Sequence, residues 1–335
     1  MHRRSFLTGL VTIATAPRVV EAQPAGKVWR VGLFHVGLDH EPPTLAPLRE
    51  GLKRLGYEDK NIRLDWRNQA DEDAARVTAR AFVRERVDLI VAFEAQAVRA
   101  TQAATSEIPV VFVHVGDPVA SGFVKSIAQP GGNLTGIADF VGELQDKRMQ
   151  ILGEIVRLRR LLILTDPLDP NTARLRAEVR RVAPQLKVEL VERQATTEAD
   201  VTQAFAPLKR GDVDGLIVVS PNLITKFRAL ILRLCQEHQI PLAAHAKVLV
   251  EHGALLSYGP DNVAVAQDLA GYIDKILKGA KPADLPVQQA ARLELVINMK
   301  TAKALGLTVP PSLLLRADQV IEQCTADPSS SLSQF

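Results

Sequence analysis

The side chains with the most chemical capacity in this sequence stand just past short apolar runs. Phe34 and His35 close the run Val31–Val36, Glu94 and Ala95 follow Val87–Phe93, and Asp117 follows Pro109–Val115. Asp166 follows Leu161–Thr165, Asn222 follows Gly215–Val219, and His245 follows the run 241–244. Carboxylates, amides and imidazoles at strand ends donate and accept hydrogen bonds and pair with ions, which suits the holding of a polar solute. Alternation lets only one of Phe34 and His35 face such a site. Glu94 either lines a cleft or meets solvent. Asp117, just ahead of Pro118, reads as a ligand contact, a latch between lobes or the N-cap of a following helix. Asp166 and Asn171 flank Pro167 and Pro170 and read as caps or as cleft residues. Asn222 and His245 divide in the same way between cleft and loop.

Bond-making chemistry has less support. The chain has no Gly-x-Ser-x-Gly elbow, no phosphate-binding Gly-x-x-x-x-Gly-Lys loop and no Gly-x-Gly-x-x-Gly turn. Its 7 histidines include no His-x-x-x-His pair, and His35 and His40 are five apart around a loop. A metal needs convergent ligands, so neither a metal nor a cofactor is expected.

The elements that would position these residues follow an alternating rhythm. Val31–Val36 is a strand, and Leu45, Leu48, Leu52 and Leu55 recur at helical spacing. Ile62–Trp66 alternates as a strand, residues 71–86 form an amphipathic helix, and Val87–Phe93 and Pro109–Val115 are strands apolar on both faces, as in parallel sheets. A helix is expected after Pro118. Pro130-Gly131-Gly132-Asn133 is a turn, and Thr135–Phe140 is a strand leading elsewhere. The rhythm restarts with helices at 142–157, 171–183, 198–209 and 224–238 and strands at 161–165, 188–191, 215–219 and 241–244. Two doubly wound α/β lobes are therefore expected. The remainder holds a helix at 262–278, strands at Pro286-Val287 and Leu293–Ile297, and a helix at 299–305. It is too small for a third domain and completes the other two, so the chain must cross between them several times. The expected lobes are 28–138 with about 258–288, and 139–257 with about 289–323. Gly136 and Tyr258 stand near the crossings as hinges, and the serine-rich tail 326–335 is expected to be disordered.

Composition limits the function classes. Apolar residues make up 47% of the 335, enough for real cores, yet no apolar run is long enough to span a bilayer. Net charge is +3, but Arg3, Arg4 and Arg18 against Glu21 account for +2 of it within residues 1–22. A body near +1 carries no electrostatic footprint for nucleic acid. Residues 1–22 read as an export leader: a twin-arginine start at Arg3-Arg4, a mildly apolar stretch, and Val20-Glu21-Ala22 as a cleavage site near Ala22. Cys235 and Cys324 are too few for a disulfide framework, and Cys235 falls on an apolar helical stripe as a buried thiol.

Several ordered motifs then carry a specific resemblance. They are Val115-Gly116-Asp117-Pro118, Ser121-Gly122, Pro130 to Gly136 (PGGNLTG), Leu256 to Asp261 (LSYGPD), Tyr272 to Pro282, Leu295-Val296-Ile297-Asn298 and Lys300 to Leu307. From about Arg30 to Gln323 the chain resembles the tryptophan/tyrosine-type ABC-transporter substrate-binding proteins. The resemblance implies a type I periplasmic-binding-protein fold with three interlobe crossings, and a permease and ATPase as partners. Members of that family with known ligands bind aromatic amino acids. Where such proteins commonly carry Gly-Thr after the third strand, this chain has Glu94-Ala95, and Asp166 stands where Asn is usual. A carboxylate at Glu94 repels a ligand carboxylate and suits a ligand cation or a neutral polar group. Asp166 is able to receive an ammonium. The expectation is a periplasmic, monomeric, non-enzymatic solute-binding component of an ABC importer, closing by a hinge on an amino acid or related polar solute. A ligand-sensing receptor for a membrane signalling partner is the alternative in the same fold, and an exported enzyme the alternative from another class.

Overall fold

The computed structural model describes residues 27–37, 41–139, 142–169, 172–290 and 292–322. The leader 1–22, His40, Asn171, Cys324 and the tail 326–335 lie outside the described residues.

The apolar runs build two sheets. The first receives β1 (Trp29–Val36), β2 (Ile62–Gln69), β3 (Leu89–Phe93), β4 (Val110–Val115) and β5 (Leu134–Ala138), with α1 (Leu45–Arg54), α2 (Glu72–Arg84) and α3 (Glu94–Ala104) between them. The second begins with α4 (Gly142–Ile155), β6 (Arg160–Thr165), α5 (Thr172–Val182), β7 (Glu189–Gln194), α6 (Glu198–Phe205) and β8 (Gly215–Val218). It continues through α7 (Pro221–Lys226), α8 (Arg228–Glu237), β9 (Leu242–Ala244), α9 (Lys247–Glu251) and β10 (Leu256–Pro260). The chain then returns: α10 (Asn262–Leu277) packs on α1, and β11 (Gln288–Gln289) pairs with β5. Last come β12 (Leu293–Asn298), α11 (Met299–Ala304), α12 (Pro311–Leu314) and β13 (Gln319–Ile321), in the second sheet. The backbone thus passes between the sheets after β5, after β10 and after β11. Strand orders are β11-β5-β4-β3-β1-β2 and β13-β12-β10-β9-β8-β6-β7, parallel throughout except for the antiparallel pair β10–β12.

Both faces of each sheet are buried, which is why the strands read as nearly unbroken apolar runs. In the first lobe Val31, Leu33, Leu89, Val91 and Phe93 face α1 and α10. Phe34, Ile90, Ala92 and Phe112 face α2 and α3. In the second lobe Leu162, Leu164, Leu216 and Leu242 pack on one side and Leu161, Ile163, Ile217 and Leu256 on the other. Cys235 is buried on α8 as a free thiol. Among the described residues no helix is long and apolar enough to cross a membrane, and no cluster of three His, Cys, Asp or Glu is placed to hold a metal ion.

Several sequence expectations need correction. The stretch after Asp117 makes turns, not a helix: Asp117 Oδ1 accepts the N–H groups of Val119 (3.1 Å) and Ala120 (2.9 Å), and Gly122 takes a left-handed backbone (φ 72°). A helix begins instead directly at Glu94, and the expected helix 224–238 breaks at Phe227 into α7 and α8. The short strand lies at Gln288–Gln289, past Pro286-Val287, because a proline has no N–H for a ladder. Gly136 and Tyr258 sit inside β5 and β10 and not at the crossings. Tyr258 pairs with Leu295, so β10 remains in the second sheet to Pro260.

Gly136 has a packing role. A Cβ there would lie 2.1 Å from the Phe112 carbonyl oxygen and 2.7 Å from its nitrogen, both backbone atoms that cannot turn aside. Gly136→Ala is expected to lower unfolding free energy by about 3 kcal/mol, the upper end for overpacking. Gly271 lies inside α10, and a Cβ added there would meet nothing within 4 Å. Its replacement by Ala is expected to gain about 0.5–1 kcal/mol. Urea denaturation of both variants tests the pair; a neutral Gly136→Ala would reject the close approach of β5 to β4.

Candidate ligand-binding site

Each sheet has one place where strand order reverses, and open α/β sheets bind ligands just outside the strand ends there. In the first lobe that point lies between β1 and β3. His35 ends β1, Glu94 follows β3, and their side chains meet across the reversal, His35 Nε2 to Glu94 Oε1 at 3.2 Å. In the second lobe the reversal lies between β6 and β8. There Ser220 Oγ accepts the Asp166 N–H (2.7 Å) and bonds Thr172 Oγ1, whose own hydroxyl contacts the Asp166 carbonyl.

Between the lobes lies a cavity of about 150 Å³. The first lobe lines it with His35, Thr44, Glu94, Ala95, His114 and Asp139, over a floor that includes Phe93. The second lobe contributes Leu144, Gln145 and Arg148 from α4, Arg174 and Leu175 from α5, and His245 after β9. Backbone strain aims two of these groups. Glu94 (φ 65°) and His114 (φ 59°) both hold a left-handed backbone that costs a non-glycine residue stability. At His114 the pairing of β4 with β5 shifts register between Val113 and Val115, a bulge. Val115 consequently joins the α2–α3 side although Val111 and Val113 face the other way. His114 leaves the ladder and bonds Asp139 at 3.0 Å.

The charges compensate one another unevenly. Burial opposes ionisation of Glu94, but the His35 charge and hydrogen bond, with His114 beyond, outweigh it and hold the carboxyl below its ordinary value. Burial likewise opposes a charge on His114, yet Asp139 outweighs it and raises the imidazole. Arg148 is 2% exposed and donates from Nε to the Tyr258 carbonyl at 2.8 Å. Burial brings it down to about 10, which leaves it charged at neutral pH. Burial and the Arg148 charge push His245 down to about 4, so it is neutral there. Among the described residues, four buried polar atoms on the cavity residues have no hydrogen-bond partner: His35 Nδ1, Thr44 Oγ1, Gln145 Oε1 and Arg174 Nη2.

The structure therefore sorts the residues singled out by sequence. His35, Glu94, Ala95 and His245 line the cavity. Phe34 does not: alternation turns it to the α2–α3 side, where it is fully buried with its ring 5.9 Å from that of Phe82. Asp117 caps its own turn while its neighbour Gly116 reaches the cavity. Asp166 accepts the Leu168 N–H at 2.8 Å and is not a cavity residue. Asn171 is outside the described residues, and Asn222 lies in α7 with its side chain undescribed. Tyr258 contributes its carbonyl to Arg148. Sequence reasoning missed Thr44, His114, Asp139, Gln145, Arg148 and Arg174. One signal was present: Arg148 sits on the apolar stripe Leu144–Arg148–Leu152 of α4, and a charge on a buried stripe needs a partner. The bulge that presents His114 leaves no comparable mark.

Comparison with known proteins agrees with this architecture. Residues 37–321 match the family model described as ABC transporter substrate binding protein. The chain is 30% identical over 274 residues to a tyrosine-binding protein of Clostridioides difficile (strain R20291), covering 80% of this chain and 79% of that one. Among solved structures it resembles an ABC domain in complex with L-Trp from Streptococcus pneumonia, with TM-score 0.78, 25% identity, and coverage of 88% of this chain and all (100%) of that one. The ligand-free, open structure of a substrate binding protein with adhesive properties from Clostridium difficile is 27% identical at the same coverage, 88% and 100%, but gives a TM-score of 0.66.

His245 provides a pH test. An unfolded histidine titrates near about 6.5, whereas the folded one waits until about 4. Between those values the unfolded chain binds a proton that the folded chain does not, so stability falls as pH drops through that window. His245→Asn is expected to lose less stability than the parent between about pH 7 and about pH 4.5 in urea titrations. Equal losses would place the acid sensitivity elsewhere.

Proposed function

The chain belongs to the ABC transporter substrate binding protein family, and from that premise we propose that it receives a small polar solute of the amino-acid class outside the cytoplasm and delivers it to a membrane permease driven by an ATPase. One observation carries the ligand-binding part of this reading: residues from both lobes that line one interlobe cavity carry buried polar atoms with no hydrogen-bond partner among the described residues. Such atoms are costly unless something bonds them. The amino-acid class is supported by the tyrosine-binding relative and the L-Trp complex, and by a cavity that combines ionic groups with the apolar Phe93, Leu144 and Leu175.

The mechanism is closure about the interlobe segments. The first lobe holds one side of the solute, and the second completes its hydrogen bonds as the halves meet. Greater likeness to the L-Trp complex than to the open, ligand-free relative, at similar identity, supports a closed arrangement here. The crossings have a joint that suits such motion. Asp261 caps α10 through the Val263 N–H (2.9 Å) and stands 3.5 Å from Arg292 Nε, tying the crossing after β10 to the one before β12. The arginine pair and leader at residues 1–22 support export to the periplasm.

The test is calorimetric titration and thermal shift of the mature chain with amino acids, amines and small carboxylates. A ligand well above its dissociation constant raises the midpoint by mass action. Stoichiometric binding without turnover is expected, and Gln145→Ala is expected to weaken it by about fivefold or more, the loss of one hydrogen bond. Turnover of the bound compound, or binding untouched by Gln145→Ala, would reject this reading of the cleft.

A further inference from the structure

We propose that the second lobe takes the anionic end of the ligand through Arg174 and Arg148, so that the solute is a small organic carboxylate held by guanidinium groups on α4 and α5 and not at the amino end of α3. This rests on the cavity being the solute site.

The ionic inventory of the cavity is divided by lobe. The first lobe offers Glu94 and Asp139, and each already faces a histidine, His35 at 3.2 Å and His114 at 3.0 Å. Neither carboxylate is left to seek a ligand cation. The amino end of α3 would ordinarily attract an anion, since no side chain caps it. Glu94 is the first residue of that helix, however, so a carboxylate of the protein already stands at its positive end. The second lobe offers the cations. Arg148 commits Nε to the Tyr258 carbonyl, and its guanidinium is almost wholly buried. Arg174 Nη2 is buried with no hydrogen-bond partner among the described residues.

Second-lobe acids offset these cations only in part, although Glu178 interacts with both Arg174 and Arg148. Asp146 pairs with Arg181 at 3.0 Å, away from the cavity. Glu178, one turn beyond Arg174 on α5, has both carboxyl oxygens buried and unbonded. Burial and then the Asp146 charge push that carboxyl up to about 7, which weakens it as a counter-ion. A guanidinium with a spare donor in a closed space is stabilised most by a carboxylate, which accepts two parallel N–H bonds. The remaining unpartnered atoms, Gln145 Oε1, Thr44 Oγ1 and His35 Nδ1, then suit amino or hydroxyl groups on the body of the same solute.

Calorimetric titration of the full mature chain would use aromatic and aliphatic amino acids, their hydroxy-acid analogues, their amides and their decarboxylated amines. Acids are expected to bind, and the matched amides and amines to bind at least about tenfold more weakly, as for a lost charge-assisted bond. Arg174→Gln should weaken acids by about tenfold or more while leaving any residual amide affinity unchanged, and Arg174→Lys should fall between. Unchanged thermal melts of the unliganded variants would show that the fold survives. Amines or amides binding as well as acids, or Arg174→Gln acting equally on acids and amides, would overturn this assignment and leave the solute-binding reading standing. Absence of binding by every probe would overturn both.

Discussion

Two lobes that enclose one small space take its charges partly out of water, and every ionic group there must find compensation inside the protein or in what the protein binds. The first lobe solves this internally. Its strand-order reversal brings His35 against Glu94, and a bulge in β4 brings His114 against Asp139. These contacts depend on irregular backbone: Glu94 and His114 both hold left-handed conformations next to otherwise regular strands. Strain of that kind persists only where the surrounding structure enforces it, and here the fully buried β3 and the largely buried β4 do so.

The second lobe repeats the first lobe's order over its first five strands, β7-β6-β8-β9-β10 against β2-β1-β3-β4-β5, but makes a different use of its reversal point. Ser220, Thr172 and the Asp166 backbone bond one another, so the strand ends there are satisfied without a ligand. Polar groups toward the cavity come instead mostly from helices, Gln145 and Arg148 on α4 and Arg174 on α5, with His245 after β9. The two walls thus differ chemically. One presents acids paired with histidines, and the other presents Arg148 and Arg174, of which Arg174 Nη2 has no hydrogen-bond partner among the described residues.

The type I periplasmic-binding-protein fold places this cavity between lobes by returning the chain across the gap after β10 and again after β11. Both later crossings pass through one small network, in which Arg292 stands near Asp261 and Asp318. These are exposed pairs, worth little in stability. Their location gives them another consequence: they tie the crossing after β10 to the one before β12.

Alternation of strand and helix, continuous apolar runs and turn residues determined two doubly wound lobes from the sequence alone, because buried parallel strands impose a pattern on every residue they contain. Strand ends also marked His35, Glu94 and His245, since a polar residue closing an apolar run has one exit. Tertiary structure decided the rest. Phe34 and Asp117 stood at equally good positions, but packing on Phe82 and the bonds of a local turn took them from the cavity. His114 and Asp139 entered it through a one-residue register shift that no periodicity records. Arg148, Gln145 and Arg174 sit on helices whose spacing defines a face but not what that face meets, and only the docking of one lobe on the other makes it the wall of a site.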